Sequence, residues 1–176
     1  MKFSSLHDLY IVQLKDLHSA ETQLTAALPK MAKAANAPKL KSAFTEHLKE
    51  TKDQLVRLNK ISKKLGRPFT GHTCAAMKGL IEEGSEWMEE DATPEVMDAG
   101  LIAAAQRLEH YEMAGYCTVH NFSELLGEKE ATKLLAETLQ EEEAADEKLT
   151  KLAKLIDVEA KVRHLTPQRA VLSKNS

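Results

Sequence analysis

The sequence predicts an all-α protein, a four-helix bundle with one long crossover that carries an additional short helix. Three observations predict it. Apolar residues recur at spacings of three and four along four stretches of roughly 30 residues, the period of a helix face. The composition is helical, with Gly (7) and Pro (5) scarce, aromatic residues at 5% and charged residues at 29%. The stretches are separated by two tight turns and one long connection, the pattern of two antiparallel hairpins joined by a crossover. At 176 residues the chain suits one domain, placed at residues 1–165, with residues 166–176 as a C-terminal tail.

The first helix starts near Ser5, whose spacing to Asp8 has capping-box form, and runs to about Ala35. Pro29 is expected to kink it or loosen its last turn. Asn36, Ala37 and Pro38 turn into the second helix, with Pro38 in the first-turn place that proline favours. That helix runs to about Leu65 and is stopped by Gly66 and Pro68. The connection over 66–93 holds the short helix, around Cys74–Glu90. Thr93 and Pro94 open the third long helix as N-cap and first-turn proline. It reaches Leu126, Gly127 ends it, and the fourth follows to about Val158. The tail beyond Leu165 is expected to be poorly ordered or docked elsewhere.

Acids interrupt the apolar stripes. The first stripe reads Tyr10, Leu14, Leu17, Glu21, Leu24, Leu28, Met31, and the second Leu40, Phe44, His47, Glu50 or Thr51, Gln54, Leu58. The third reads Leu101, Ala105, Leu108, Glu109 with Glu112, Tyr116, and the fourth Leu135, Leu139, Glu142, Asp146, Leu149, Leu152. These acids therefore point toward the core. Burying an ion costs several kcal/mol, and like charges nearby add to it. Either the acids take up protons or cations sit among them. Five or six carboxylates with one histidine and no lysine on those faces leave a deficit of about four charges, which two divalent cations would cancel. Glu21 and Glu50 lie about fifteen residues either side of one turn, and Glu112 and Glu142 about fifteen either side of the other, so all four meet near mid-bundle.

The segments LHSAETQLTAALPKMAKAA, EHLKETKDQLVRL, AAMKGLIEEG, LIAAAQRLEHYEMAGY and LLAETLQEEEAADEKLTKLA closely resemble the bacterial YciE/YciF family of ferritin-like domains. The resemblance spans Ser5 to Ile156. It implies a bundle with a dinuclear centre, iron first, and a bacterial stress-response setting; it implies no substrate. The wider ferritin-like pattern has a Glu on the first helix, Glu-x-x-His on the second, one or two Glu on the third and Glu-x-x-His on the fourth. Glu21 fits. The second helix departs, with Asp53 three residues after Glu50 and its histidine, His47, three before. Glu109 and Glu112 resemble the rubrerythrin arrangement. The fourth helix has no histidine, and Glu142 sits better on the stripe than Glu143, either one paired with Asp146. The candidate metal ligands are thus Glu21, His47, Glu50, Glu109, Glu112, Glu142 and Asp146. So oxygen-rich a set is also compatible with manganese.

Around them, His110 is an alternative ligand, and His18 is placed as a residue orienting Glu21. Asp53 is read as solvent-facing. Tyr10, Tyr111 and Tyr116 are read as core residues that could lie near the metals. Glycine-rich phosphate loops, G-x-S-x-G elbows and H-E-x-x-H zinc helices are absent from the sequence. Cys74 and Cys117 are too few for a disulfide framework or a rubredoxin-type iron centre, so a redox cycle would need an external reductant. Net charge is −3, although residues 82–91 carry six acids. That charge gives no case for nucleic acid or membrane as a partner. Without a signal-like apolar run, the expected location is the cytoplasm. A homodimer is the default assembly, with Leu80, Trp87 and Met88 as its apolar edge. Three functions remain open: an oxidoreductase acting on peroxide or dioxygen, a metal-sequestering protein, and a structural bundle.

Overall fold

The computed structural model describes residues 4–165, with residues 159 and 162–165 as backbone only. Among them all regular structure is helical: α1 (Leu6–Ala34), α2 (Pro38–Leu65), α3 (Ala75–Glu89), α4 (Pro94–Leu125) and α5 (Lys129–Leu165). The expected tail, 166–176, lies outside the described residues. None of the described helices is long and apolar enough to cross a membrane.

Local chemistry sets most of the helix ends. The Ser5 hydroxyl accepts from Asp8 N at 3.1 Å, an N-cap satisfying one of the first-turn donors. The reciprocal bond falls one residue early, because the Asp8 carboxylate accepts from Ser4 N and Oγ. Pro29 is exposed and does not end α1. Gly66 (φ 60°) and Gly127 (φ 72°) take the left-handed conformation that closes a helix C-terminus. Arg67 N then reaches Ser62 O at 3.2 Å, and Glu128 N reaches Ser123 O at 2.9 Å. Thr93 precedes α4 without a side-chain cap bond. The Cys74 thiol does cap α3, accepting from Met77 N at 3.3 Å. Helix α5 continues to Leu165, past the expected end at Val158. No glycine or proline lies between Gly127 and Pro167 to stop it sooner.

Helices α1 and α2 pair, α4 and α5 pair, α1 packs on α4 and α2 on α5, closing a four-helix ring. Helix α3 covers the α1–α4 side. Asp98, in the second turn of α4, accepts from Asn36 N at 2.6 Å and Ala37 N at 2.7 Å. This pins the start of α4 beside the end of α1, so α4 runs antiparallel to α1 and parallel to α2, as a long crossover requires. At Gly115 a Cβ would sit 2.7 Å from Leu17 Cδ2, so the missing side chain lets α4 approach α1 there. Of the expected dimer edge, only Trp87 is exposed; Leu80 and Met88 pack against the bundle.

The core forms two apolar clusters. One joins Leu24, Leu28, Phe44, Leu101, Leu108 and Leu149 at the end that carries the α1–α2 turn. The other joins Tyr10, Leu14, Leu58, Tyr116, Val119 and Leu135 at the opposite end. Burying each large aliphatic side chain contributes about 1.5–3 kcal/mol. That apolar surplus above and below is what tolerates a polar layer between them.

Candidate metal centre

The polar layer occupies the gap between the two clusters on all four long helices. Glu21, Glu112 and Glu142 are fully buried, Glu109 is 3% exposed and His47 5% exposed. His47, Glu109, Glu112 and Glu142 each bring a ligand atom to within 4.8 Å of the others. Tyr116 Oη donates to Glu21 Oε1, and Gln54 Nε2 donates to Glu142 Oε1.

The imidazole has a defined direction. Its Nδ1 lies 3.2 Å from Glu50 Oε2. Its Nε2 faces Glu109 Oε1 at 3.3 Å and Glu142 Oε2 at 3.8 Å, without hydrogen-bond geometry to either. With the Nδ1 proton donated to Glu50, the Nε2 lone pair points into the cluster. A carboxylate on the far nitrogen is the usual way to hold a metal-binding histidine.

Glu21 Oε2, Glu109 Oε2, Glu142 Oε2 and both oxygens of Glu112 are also buried with no hydrogen-bond partner. Buried polar atoms are nearly always paired, so orphans on five adjoining residues mark a set of candidate ligand atoms. The described buried residues include no Lys or Arg to compensate. Counting His47 as neutral, the four carboxylates carry about four negative charges, which matches two divalent cations. The residues present fit such a pair.

Without a cation the layer holds protons. Burial pushes Glu21 up to about 8, against the opposing pull of Tyr116 and His47. Burial likewise lifts Glu142 to about 7 and Glu109 and Glu112 well above the carboxylate range. Burial opposes charge on His47 too, but Glu109, Glu50, Glu142 and Glu21 together push it up to about 10. Ligand chemistry and proton chemistry therefore compete for the same atoms.

The other expected residues are distributed around this centre. Glu50 has a side chain 42% exposed and, among the described residues, meets the cluster at His47. The core position next to it is Thr51, fully buried, because a helix turns about 100° per residue. Asp146 accepts from Gln106 Nε2 at 3.1 Å and lies 3.4 Å from the exposed His110, outside the four-residue group. Glu142 is buried while Glu143 and Asp53 are exposed. His18 pairs with Asn59 at 3.2 Å rather than with Glu21, whose oxygen is held by Tyr116. The outer support of Glu142 was not anticipated from sequence. Arg57 grips both oxygens of Glu141 at 2.6 Å, and Glu141 in turn accepts from Gln54 at 3.1 Å. Its only trace in the sequence is Gln54 on the core stripe with Arg57 three residues on.

Comparison with known proteins agrees with this architecture. The chain is 47% identical over 154 residues to Protein YciF of Escherichia coli (strain K12), covering 87% of this chain and 93% of that protein. Against the crystal structure of the E. coli stress protein YciF the TM-score is 0.85 at 46% identity, covering 88% of this chain and 98% of that one. YcfI from Rhodopseudomonas palustris gives 0.81 at 41% identity, covering 84% and 94%. Residues 5–162 match the domain of unknown function DUF892. With its bundle, crossover and near full-length likeness to YciF, the chain belongs to the DUF892 family.

Proposed function

We propose that the protein binds two divalent metal ions, iron first and manganese as the alternative, and serves bacterial stress response by reacting with peroxide or dioxygen. The observation that supports this is the set of orphaned donor atoms on Glu21, His47, Glu109, Glu112 and Glu142, enclosed between two apolar clusters. Bound metal would supply Lewis acidity and redox equivalents to the oxidant. The protein's own residues do the rest. Glu50 fixes the imidazole tautomer, Gln54 and Tyr116 orient Glu142 and Glu21, and the apolar layers keep bulk water away. An external reductant completes any cycle. The stress-response element comes from the likeness to the E. coli stress protein YciF. A cytoplasmic homodimer is part of this reading.

The raised proton affinities favour a second reading, a non-catalytic bundle that sequesters metal or is purely structural, its acids neutralised by protons and by a charged His47. Elemental analysis separates metal binding, catalytic or sequestering, from the purely structural bundle, and consumption of peroxide or dioxygen by the loaded protein separates the first two. Protein stripped of metal and reloaded with iron or manganese should hold close to two metals per chain, and a Glu21→Ala/Glu142→Ala double variant should lose them. Glu89→Ala and Glu90→Ala, on exposed positions, should not. A wild-type metal content near zero would move the structural reading to first place.

A further inference from the structure

A cleft of about 70 Å³ opens between α2 and α5 and runs inward to the polar layer. Its floor is His47 and Glu109, two members of the cluster. Its walls are Ala43 and Phe44 on α2 and Ala144, Ala145 and Leu149 on α5. Glu50 and Lys148, both partly exposed, stand at the mouth with opposite charges, and Lys148 is tethered to Glu46 at 2.7 Å. Among the described residues, the hollow between α1, α3 and α4 is about 10 Å³ and touches none of the cluster. The surface hollows beside Lys39 and beside Trp87 touch none of it either.

Size is the informative quantity. A dry cavity that holds benzene is about 150 Å³, whereas a single water needs about 10–15 Å³. The cleft therefore takes several waters or one molecule of a few non-hydrogen atoms, and has no room for a ring. Its mouth carries both signs of charge, Lys148 beside Glu50 and Glu46, so size is the sharper filter. Building on the reading of the cluster as a metal centre, we propose that the α2–α5 cleft is the entry route to the site. By its small volume it restricts the reactant to molecules the size of hydrogen peroxide or dioxygen, excluding bulky organic hydroperoxides. Ala43, Ala144 and Ala145 are then specificity-determining positions, although none carries reactive chemistry.

The test uses the full chain, stripped, reloaded with iron or cobalt and assayed for metal per chain. It is then mixed with azide or with benzoate while the visible absorption of the metal is followed. Both probes are monoanionic metal ligands, and they differ in bulk. Wild-type protein is expected to bind azide and not benzoate. Ala145→Leu is expected to hold the same metal but bind azide about tenfold more slowly, because its isobutyl group fills the passage. Ala144→Leu, nearer the surface, provides the same readout if Ala145→Leu fails to fold. Loaded wild type that binds benzoate as readily as azide overturns the proposal, as do alanine variants that take up azide at the wild-type rate. A wild-type chain that holds no metal overturns the metal reading beneath it, a separate and recognisable failure.

Discussion

Gln54 on α2 donates from Nε2 to Glu142 Oε1 on α5 at 2.5 Å, and both side chains are fully buried. The same amide reaches Glu141 Oε2 at 3.1 Å, and Arg57 clamps Glu141 from the protein's edge. A line of hydrogen bonds thus runs from a partly exposed guanidinium to a candidate ligand. Gln54→Leu should leave the fold intact and weaken metal binding by about 10–100-fold, the usual effect of removing a group that orients a ligand. A competition titration against a chelator of known affinity measures it. Unchanged affinity would mean that Gln54 does not orient Glu142 for metal.

Glu112 has two buried oxygens without partners, and burial with its carboxylate neighbours raises its proton affinity. Between the ordinary carboxylate range and that raised value, the folded chain holds more protons than the unfolded one. Stability of the metal-free protein should therefore fall as pH rises through this window. Glu112→Met should remove part of that fall, stabilising metal-free protein by about 2 kcal/mol at pH 8 and by much less at pH 5. Denaturant melts at the two pH values check this. A wild type that is equally stable at both would contradict it.

Asp98 holds the α1–α2 turn to α4 through two backbone N–H groups and the Asn36 amide, and it is 3% exposed. Asp98→Ala should cost about 2–3 kcal/mol, because those donors lose their acceptor away from water. Asp98→Asn keeps one acceptor oxygen and should cost less. Chemical denaturation of the metal-free chains supplies both values.

Asp16 ties the crossover to the bundle. It accepts from Tyr111 Oη, from Cys74 Sγ at 3.2 Å and from His72 Nε2 at 2.8 Å. Burial pushes its carboxyl up, but the bonds from Tyr111, His72 and Cys74 outweigh burial and hold it below the usual carboxylate range. The stability it contributes is present above the unfolded carboxylate value and is lost as pH falls through the lowered one. The melting-temperature gap between wild type and Asp16→Asn should thus narrow as pH drops from about 6 to about 3. A gap independent of pH would assign the carboxylate no such role.

Helix α2 was legible to its ends, Pro38 and Leu65, because a first-turn proline and a left-handed glycine are local devices. The reach of α5 to Leu165 was less so, since fading amphipathicity looks like an end when no residue marks one. In the site, Glu21, Glu109, Glu112 and Glu142 were readable as inward-facing because each sits squarely on an apolar stripe. Glu50 and Thr51 share one step of such a stripe, and periodicity alone does not choose between neighbours 100° apart.

The sequence by itself determined that four long helices form, that a crossover joins two hairpins, and that acids face inward at mid-length on three of them, α1, α4 and α5. Those properties follow from periodicity, capping and chain connectivity. Only the tertiary structure decided which acids converge, that His47 turns Nε2 inward while Glu50 stays at the edge, and that a narrow cleft reaches them from outside. Helix rotation and side-chain direction at a helix contact depend on packing against the other helices, and no single helix carries that information.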